Sequence, residues 1–367
     1  MNKTEIIGEL LNHGALPERM GICEDFWPET IQYAWPEQDF GKETDPTEYY
    51  DLDIVDLNEY WRGWRFALGS FHGQFKVLRE DETTWTYIDQ WGATVRRFKK
   101  HGGPPEHIAF GLDSPEAWKK TYREPLLDLD TTRFPDLEDL KRRFKKHREA
   151  GFYTMYNNTF VFENMRYSMG DIIMLEAMIE EPEWIKDFCQ VFTDFTIKHV
   201  EYLFREVGIP DAYTVYDDMA YTNAAFCSPT MYRELITPYQ KQLVNFLKDH
   251  GVAVILHTDG LITHHFDCFI EAGFDCVQPM EAKTGMDLIE LGKAYGDRIA
   301  FMGNIDIRAL ETNDPAKIEA EVLPKLKRIR EARIPYIFHS DHSISTSVKI
   351  ESYEHALKLF RENCFYA

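Results

Sequence analysis

The sequence predicts an α/β chain folded as a (β/α)8 barrel, the TIM-type architecture, and three observations lead there. From about residue 150 onward, short β-rich runs alternate with helical stretches, as in a parallel sheet. Each β-rich run ends in polar residues, which a parallel barrel would gather at one mouth. No Gly-rich nucleotide loop follows any of the runs, so a closed barrel is preferred to an open doubly wound sheet. A chain of 367 residues is long enough for one decorated barrel domain spanning 1–367, since such barrels need about 250 residues.

In chain order, Met1 to Leu11 reads as a short amphipathic helix carrying Glu5 and Glu9, with neither the basic region nor the apolar core of an export signal. The first 150 residues read as an aromatic-rich extension that includes the first barrel elements. Pro17, Pro28, Pro36 and Pro46 interrupt it before Trp61 and Trp64. The segments FKVLRED and TWTYIDQWGATVRRF, between Phe75 and Lys99, have period-two character around a turn at Glu80 to Thr83 and predict a β-hairpin. Ser114 starts a helix, and Asp136 to His147 is a second helical run. The barrel runs that follow in 151–367 are GFYTMYNN, DAYTVYDD, VAVILHTD, CVQPME, IAFMGNID and PYIFHSDH. Ser228-Pro229 opens a helix expected to run to His250-Gly251, and Asn313-Asp314-Pro315 opens one reaching about Arg333.

Composition narrows the function. Forty-one basic against 62 acidic residues give a formal charge of −21, which repels nucleic acid and anionic lipid. No apolar stretch is long enough for a membrane helix. Cys23, Cys189, Cys227, Cys268, Cys276 and Cys364 are scattered, with no close pairing that predicts a disulfide framework or a CxxC site. A cytoplasmic protein is expected.

The candidate site residues lie at the strand ends. The spacing H-x-D-x21-E-x60-H collects His257, Asp259, Glu281 and His342, a mixture of imidazole and carboxylate suited to a divalent ion, with zinc as the leading candidate. His257 and Asp259, two apart on an extended strand end, point to the same face. Asp217 and Asp218 are a candidate acid-base pair, but neighbours on a strand face opposite ways, so one is expected at the site and the other at a loop cap. His339 is expected to line the site. His264 and His265 read as structural or solvent-facing. Phe26, Trp27, Tyr156, Phe160, Tyr216 and Tyr221 read mainly as core, with strand-end Tyr156 and Tyr216 able to stack on a flat ligand.

The run DDMAY…SPTMYRELITPYQKQLVNFLKDHG…VILHTDG…EAGFDCVQPMEAKTGMDLIELGKAYGDRIAFMGNIDIRAL…SDHSI resembles the uroporphyrinogen decarboxylase superfamily over roughly residues 150 to 360. The resemblance implies a (β/α)8 barrel and one of two activities: tetrapyrrole decarboxylation, or zinc-dependent methyl transfer involving corrinoid proteins. Decarboxylases of the superfamily carry an arginine-rich loop of the RQAGR type. Here the corresponding stretch reads ERMGICEDFWPET, with Arg19 alone among acids. In the methyltransferase branch the zinc set is H-x-C…C with an intervening Glu. His257 matches the His, Asp259 and His342 stand at the thiolate positions, and Glu281 matches the carboxylate. The resemblance also places Glu163, in FVFENMRYSMG, near the site.

The chain is therefore expected to be a zinc-dependent methyltransferase, the demethylating component of anaerobic one-carbon metabolism. It would move a methyl group from an O-methyl donor, such as an aromatic methoxy compound, or from an N-methyl donor to the Co(I) of a corrinoid (cobalamin) partner protein. Expected roles are His257, Asp259, Glu281 and His342 at the metal, Asp217, Asp218 and Asp259 in proton handling, and Tyr156, Asn157, Glu163, Tyr216 and His339 at the substrate. The extension could close the site or form a homodimer contact. The alternatives are a metal-independent decarboxylase of a uroporphyrinogen-like or smaller pyrrole or aromatic acid, using Asp218 and Asp259, and a non-catalytic corrinoid- or metabolite-binding barrel.

Overall fold

The computed structural model describes residues 1–13, 16–57, 65–99 and 105–366; Trp61 and Trp64 lie outside these described residues. The central feature is an eight-stranded parallel sheet curled into a barrel. Its order is β1 (Gly21–Ile22), β14 (Tyr336–Phe338), β13 (Ala300–Met302), β12 (Cys276–Gln278), β11 (Ala253–His257), β8 (Ala212–Tyr216), β7 (Tyr153–Thr159) and β2 (Ile54–Asp56). The six β-rich runs of the sequence supply six of these strands. The other two, β1 and β2, come from the Pro-interrupted N-terminal stretch.

Seven seams of the barrel are parallel ladders. The eighth, between β1 and β2, is closed differently. The Asp53 N–H donates to the Ile22 carbonyl at 3.0 Å, the Ile22 N–H donates to Asp53 Oδ2 at 3.0 Å, and Arg19 forks onto the same carboxylate at 2.7 and 2.8 Å. A buried side chain stands in for ladder rungs.

Strand parity sorts the side chains. Ile54, Met155, Ala212, Ile255, Ala300 and Ile337 share one buried cluster inside the barrel, while Val215, Leu256 and Val277 belong to the outer core beneath the helices. The N-terminal helix Lys3–Leu11 is the plug of the barrel bottom, burying Ile6, Ile7, Leu10 and Leu11 in the interior cluster. Asn2 and Glu5 close its first turn as a capping box.

Two elements differ from expectation. The predicted hairpin is part of a four-stranded antiparallel meander, β3 (Lys76–Glu80), β4 (Thr84–Ile88), β5 (Thr94–Phe98) and β6 (Glu106–Ala109). The segment TWTYIDQWGATVRRF splits because Asp89 Oδ1 accepts from the N–H groups of Trp91 and Ala93 and folds a tight turn between β4 and β5. Tyr87 pairs with Val95 and Trp85 with Arg97, placing all four on one face of the meander. The meander is tied to the barrel by Trp91, whose Nε1 donates to Asn164 Oδ1 at 3.0 Å and whose ring packs on Tyr167. The helix expected from Ser228 to His250 is instead two, Pro229–Leu235 and Thr237–Asp249. Pro238, without an N–H, starts a new helix more readily than it continues an old one. A small hairpin, β9 (Ala220–Tyr221) and β10 (Ala224–Ala225), follows β8. Among the described residues no helix is long and apolar enough to cross a membrane.

Candidate active site

A cavity of about 580 Å³ opens at the C-terminal mouth of the barrel. Asp25 beyond β1, Tyr216 at the end of β8 and Asp218 beyond it, Asp259 beyond β11 and His342 beyond β14 line it, and Arg97 of the meander lines its wall. In β8, Ala212 and Thr214 point inward, so Tyr216 and Asp218 follow them toward the axis and Asp217 points away.

Next to Tyr216, Asp218 and Asp259 of the cavity wall, the imidazole of His257 is fixed on two sides. Its Nδ1 hydrogen-bonds the Gln278 side-chain oxygen, and the Tyr216 ring lies over it at a centroid distance of 4.1 Å. With Nδ1 donating to Gln278, Nε2 presents its lone pair toward Asp218 and Asp259. That nitrogen stands 3.6 Å from Asp218 Oδ1 and 3.8 Å from Asp259 Oδ1. One ligand atom from each of the three lies within 4.8 Å of the others. The Asp259 N–H donates to Asp218 Oδ1 at 3.0 Å, locking the two acids together. Burial first, then the like charges of Asp218 and Glu281, push the Asp259 carboxyl well above its usual range. One nitrogen and two carboxylates thus converge at separations beyond hydrogen bonding, a donor set that fits a divalent ion.

The expected ligand set is regrouped. Asp218 joins His257 and Asp259, whereas Glu281 is already engaged: Oε2 accepts from the Gly260 N–H at 2.8 Å and Oε1 faces Lys283 Nζ at 2.5 Å. Glu281 thereby orders the turn that presents Asp259. His342 lines the same cavity, but its ring packs edge-on against Trp27 at 5.4 Å, outside the three-residue cluster. Asp217 is fully buried and structural. Its Oδ1 accepts from the N–H groups of Phe162 and Glu163, capping the helix Val161–Glu180, and its Oδ2 accepts from Gln240. Burial raises its carboxyl to about 7.

Among the expected substrate contacts, Tyr216 lines the cavity. Tyr156 does not: by parity it points outward, fully buried, with its hydroxyl on the Gly208 carbonyl and its ring near Phe204. Asn157 points inward but is buried and donates to Asp56. Glu163 sits behind Asp218, held by Arg166 at 3.0 Å. Burial, then the charge of Asp218, raises its carboxyl to about 8. His339 is 1% exposed and stands behind the wall. Phe26 and Phe160 are core residues, though Phe26 also touches the cavity; Trp27 lines it and Tyr221 is exposed. His265 is buried with Nε2 on the Cys227 carbonyl, and His264 is exposed.

Sequence reasoning missed Glu24, Asp25, Arg65 and Arg97. Glu24 accepts from the Ser340 N–H and hydroxyl, and His339 lies 3.5 Å from Glu24 and 3.7 Å from Asp25. Burial disfavours the imidazolium, but Glu24 and Asp25 outweigh it and raise His339 to about 9. Burial carries the Glu24 carboxyl up to about 7, while His339 keeps Asp25 below its usual range against the same penalty. The acids of ERMGICEDFWPET were visible in the sequence, but with no recognised strand before them nothing placed them at the mouth.

The comparisons with known proteins follow the same lines. A search of curated proteins finds no match. Among solved structures the chain is similar to a methyltransferase from Methanosarcina mazei, with a TM-score of 0.69, 14% identity and 99% of each chain covered. It is more remotely similar to the spore cortex-lytic enzyme SleL of Bacillus megaterium QM B1551, with a TM-score of 0.36, 9% identity, and 61% of this chain and 62% of that chain covered. The first likeness is one of fold. The model of the uroporphyrinogen decarboxylase (URO-D) family matches residues 165–363, which hold the barrel from β8 onward with Asp218, His257 and Asp259. On the barrel, its polar mouth and that match, the chain belongs to the uroporphyrinogen decarboxylase family.

Proposed function

We propose that this protein is a methyltransferase that holds zinc through Asp218, His257 and Asp259 and passes a methyl group from an O-methyl or N-methyl donor to the Co(I) of a separate corrinoid protein. The observation that carries the reading is the convergence of His257 Nε2 with two carboxylate oxygens at 3.6 and 3.8 Å, both carboxylates lining an open cavity. One nitrogen and two oxygens make a hard ligand set with room for a further ligand from the donor. Zinc bound there supplies Lewis-acid polarisation of a donor oxygen or carboxylate. The chain's own groups do the rest. Gln278 and Tyr216 orient His257. Asp259, with its raised carboxyl, can hold a proton when no cation is bound. Asp218 lines the cavity beside it and would supply the second carboxylate to the ion. The fold likeness to a methyltransferase supports the reading, and the corrinoid protein would dock over the open mouth.

The test is metal analysis of untagged protein purified without added zinc, beside His257→Ala and Asp259→Ala, followed by methyl-transfer assays with reduced corrinoid protein. About one zinc per chain, lost in both variants together with methyl transfer, is expected. Turnover by metal-free protein with release of carbon dioxide would instead select the decarboxylase reading, in which Asp218 and Asp259 handle protons.

A further inference from the structure

We infer that the cavity receives an N-methylated ammonium cation, so that the methyl donor is a quaternary or tertiary ammonium compound rather than a methoxy ether. The inference rests on the methyl-transfer reading above and narrows its donor. Charge is the first observation. Glu24, Asp25, Glu29, Asp56, Asp218 and Asp259 line the cavity, against Arg65 and Arg97. A divalent ion at the His257 cluster answers Asp218 and Asp259. It leaves Glu24 facing the buried His339 imidazolium behind the wall, and Asp25, Glu29 and Asp56 outnumbering the two guanidiniums by one. A donor without positive charge would place its own dipoles against that excess.

The second observation is aromatic. Phe26, Trp27, Tyr33 and Tyr216 also line the cavity, and Tyr33 is 64% exposed. Aromatic faces beside carboxylates suit a methylated ammonium, whose charge is spread over methyl groups that cannot donate strong hydrogen bonds. The wall already accepts one diffuse cation: the Arg65 guanidinium lies 4.4 Å from the centroid of Tyr216.

The chemistry is consistent. When a C–N⁺ bond breaks, both electrons stay on nitrogen and a neutral amine leaves. The methyl group passes to the electron pair of the partner's reduced corrinoid. A quaternary donor needs no proton for its leaving group, and the product has lost the charge that the carboxylates hold, which favours release.

Calorimetric titration of the full chain with tetramethylammonium and choline, beside 3,3-dimethyl-1-butanol as the neutral isostere of choline, tests the inference. Choline should bind at least about ten-fold tighter than the isostere. That preference should fall in Asp25→Asn and, as a variant that leaves the Glu24–His339 contact alone, in Trp27→Leu. Equal affinity for choline and its isostere, or a preference unchanged in both folded variants, overturns it. The two readings fail separately. Methyl transfer from a methoxy donor by a protein indifferent to choline sinks the ammonium inference and leaves the methyltransferase standing. Selective choline binding with no methyl transfer from any donor does the reverse.

Discussion

His257 Nε2 lies 3.6 Å from Asp218 Oδ1, too far for a hydrogen bond and close to the separation of two ligands on one tetrahedral zinc. The geometry depends on Gln278, which accepts from Nδ1 and so leaves Nε2 unprotonated. Gln278→Leu should fold, since the residue is buried in an otherwise apolar strand, yet bind zinc about 10- to 100-fold more weakly. Competition against a chromophoric chelator measures this, and wild-type affinity in the folded variant would show that the amide does not set the tautomer.

Adjacent Asp217 and Asp218 should separate cleanly on substitution. Asp217→Ala removes the acceptor for two helix N–H groups and Gln240, so a loss of roughly 2–5 kcal/mol in urea unfolding is expected, with zinc content retained. Asp218→Ala should show the converse, near-normal stability with zinc lost.

Acid should weaken the fold through His199. Its Nδ1 donates to the Phe195 carbonyl at 2.8 Å and its Nε2 accepts from the Asp130 N–H, so both nitrogens are satisfied only in the neutral ring. Burial lowers its pKa to about 4. The unfolded chain then binds the proton more readily, and the contribution of this group is present above about pH 6.5 and lost as pH falls toward 4. Unfolding free energies at pH 7.5 and 5.5 should differ less in His199→Gln than in wild type; equal slopes would exclude the assignment.

Gly260 holds the turn after Asp259. Its φ is +88°, and a Cβ there would come within 2.6 Å of the backbone at Ala220 and Tyr221. Gly260→Ala should therefore displace Asp259 and lower zinc affinity at least as much as it lowers stability. A variant with full metal affinity and reduced stability would place the strain away from the site.

Much of the barrel was legible because its later strands are bracketed by strong boundary chemistry, as at Ser228-Pro229 and Asn313-Asp314-Pro315. His257 and Asp259 could be placed together from two-residue spacing alone. Asp218 could not be assigned over Asp217 until Ala212 and Thr214 fixed the parity of β8. Glu281 has the right type and position for a ligand, but Lys283, two residues on, takes up its charge. Strands of two and three residues, β1 and β2, carry no period, so the acids that follow them looked like part of an irregular extension.

The seam between those two strands has a mechanical consequence. A single backbone hydrogen bond joins them among the described residues, and the rest of the closure hangs on one carboxylate, Asp53. Local opening of the ring should begin there, with the Ile22 and Asp53 amides exchanging with solvent before those of β8 or β11. Cys23, Ile54 and Thr47, beside this joint, also line the cavity. The barrel can thus breathe on the side that meets ligand while the strands that carry His257 and Asp218 keep their register.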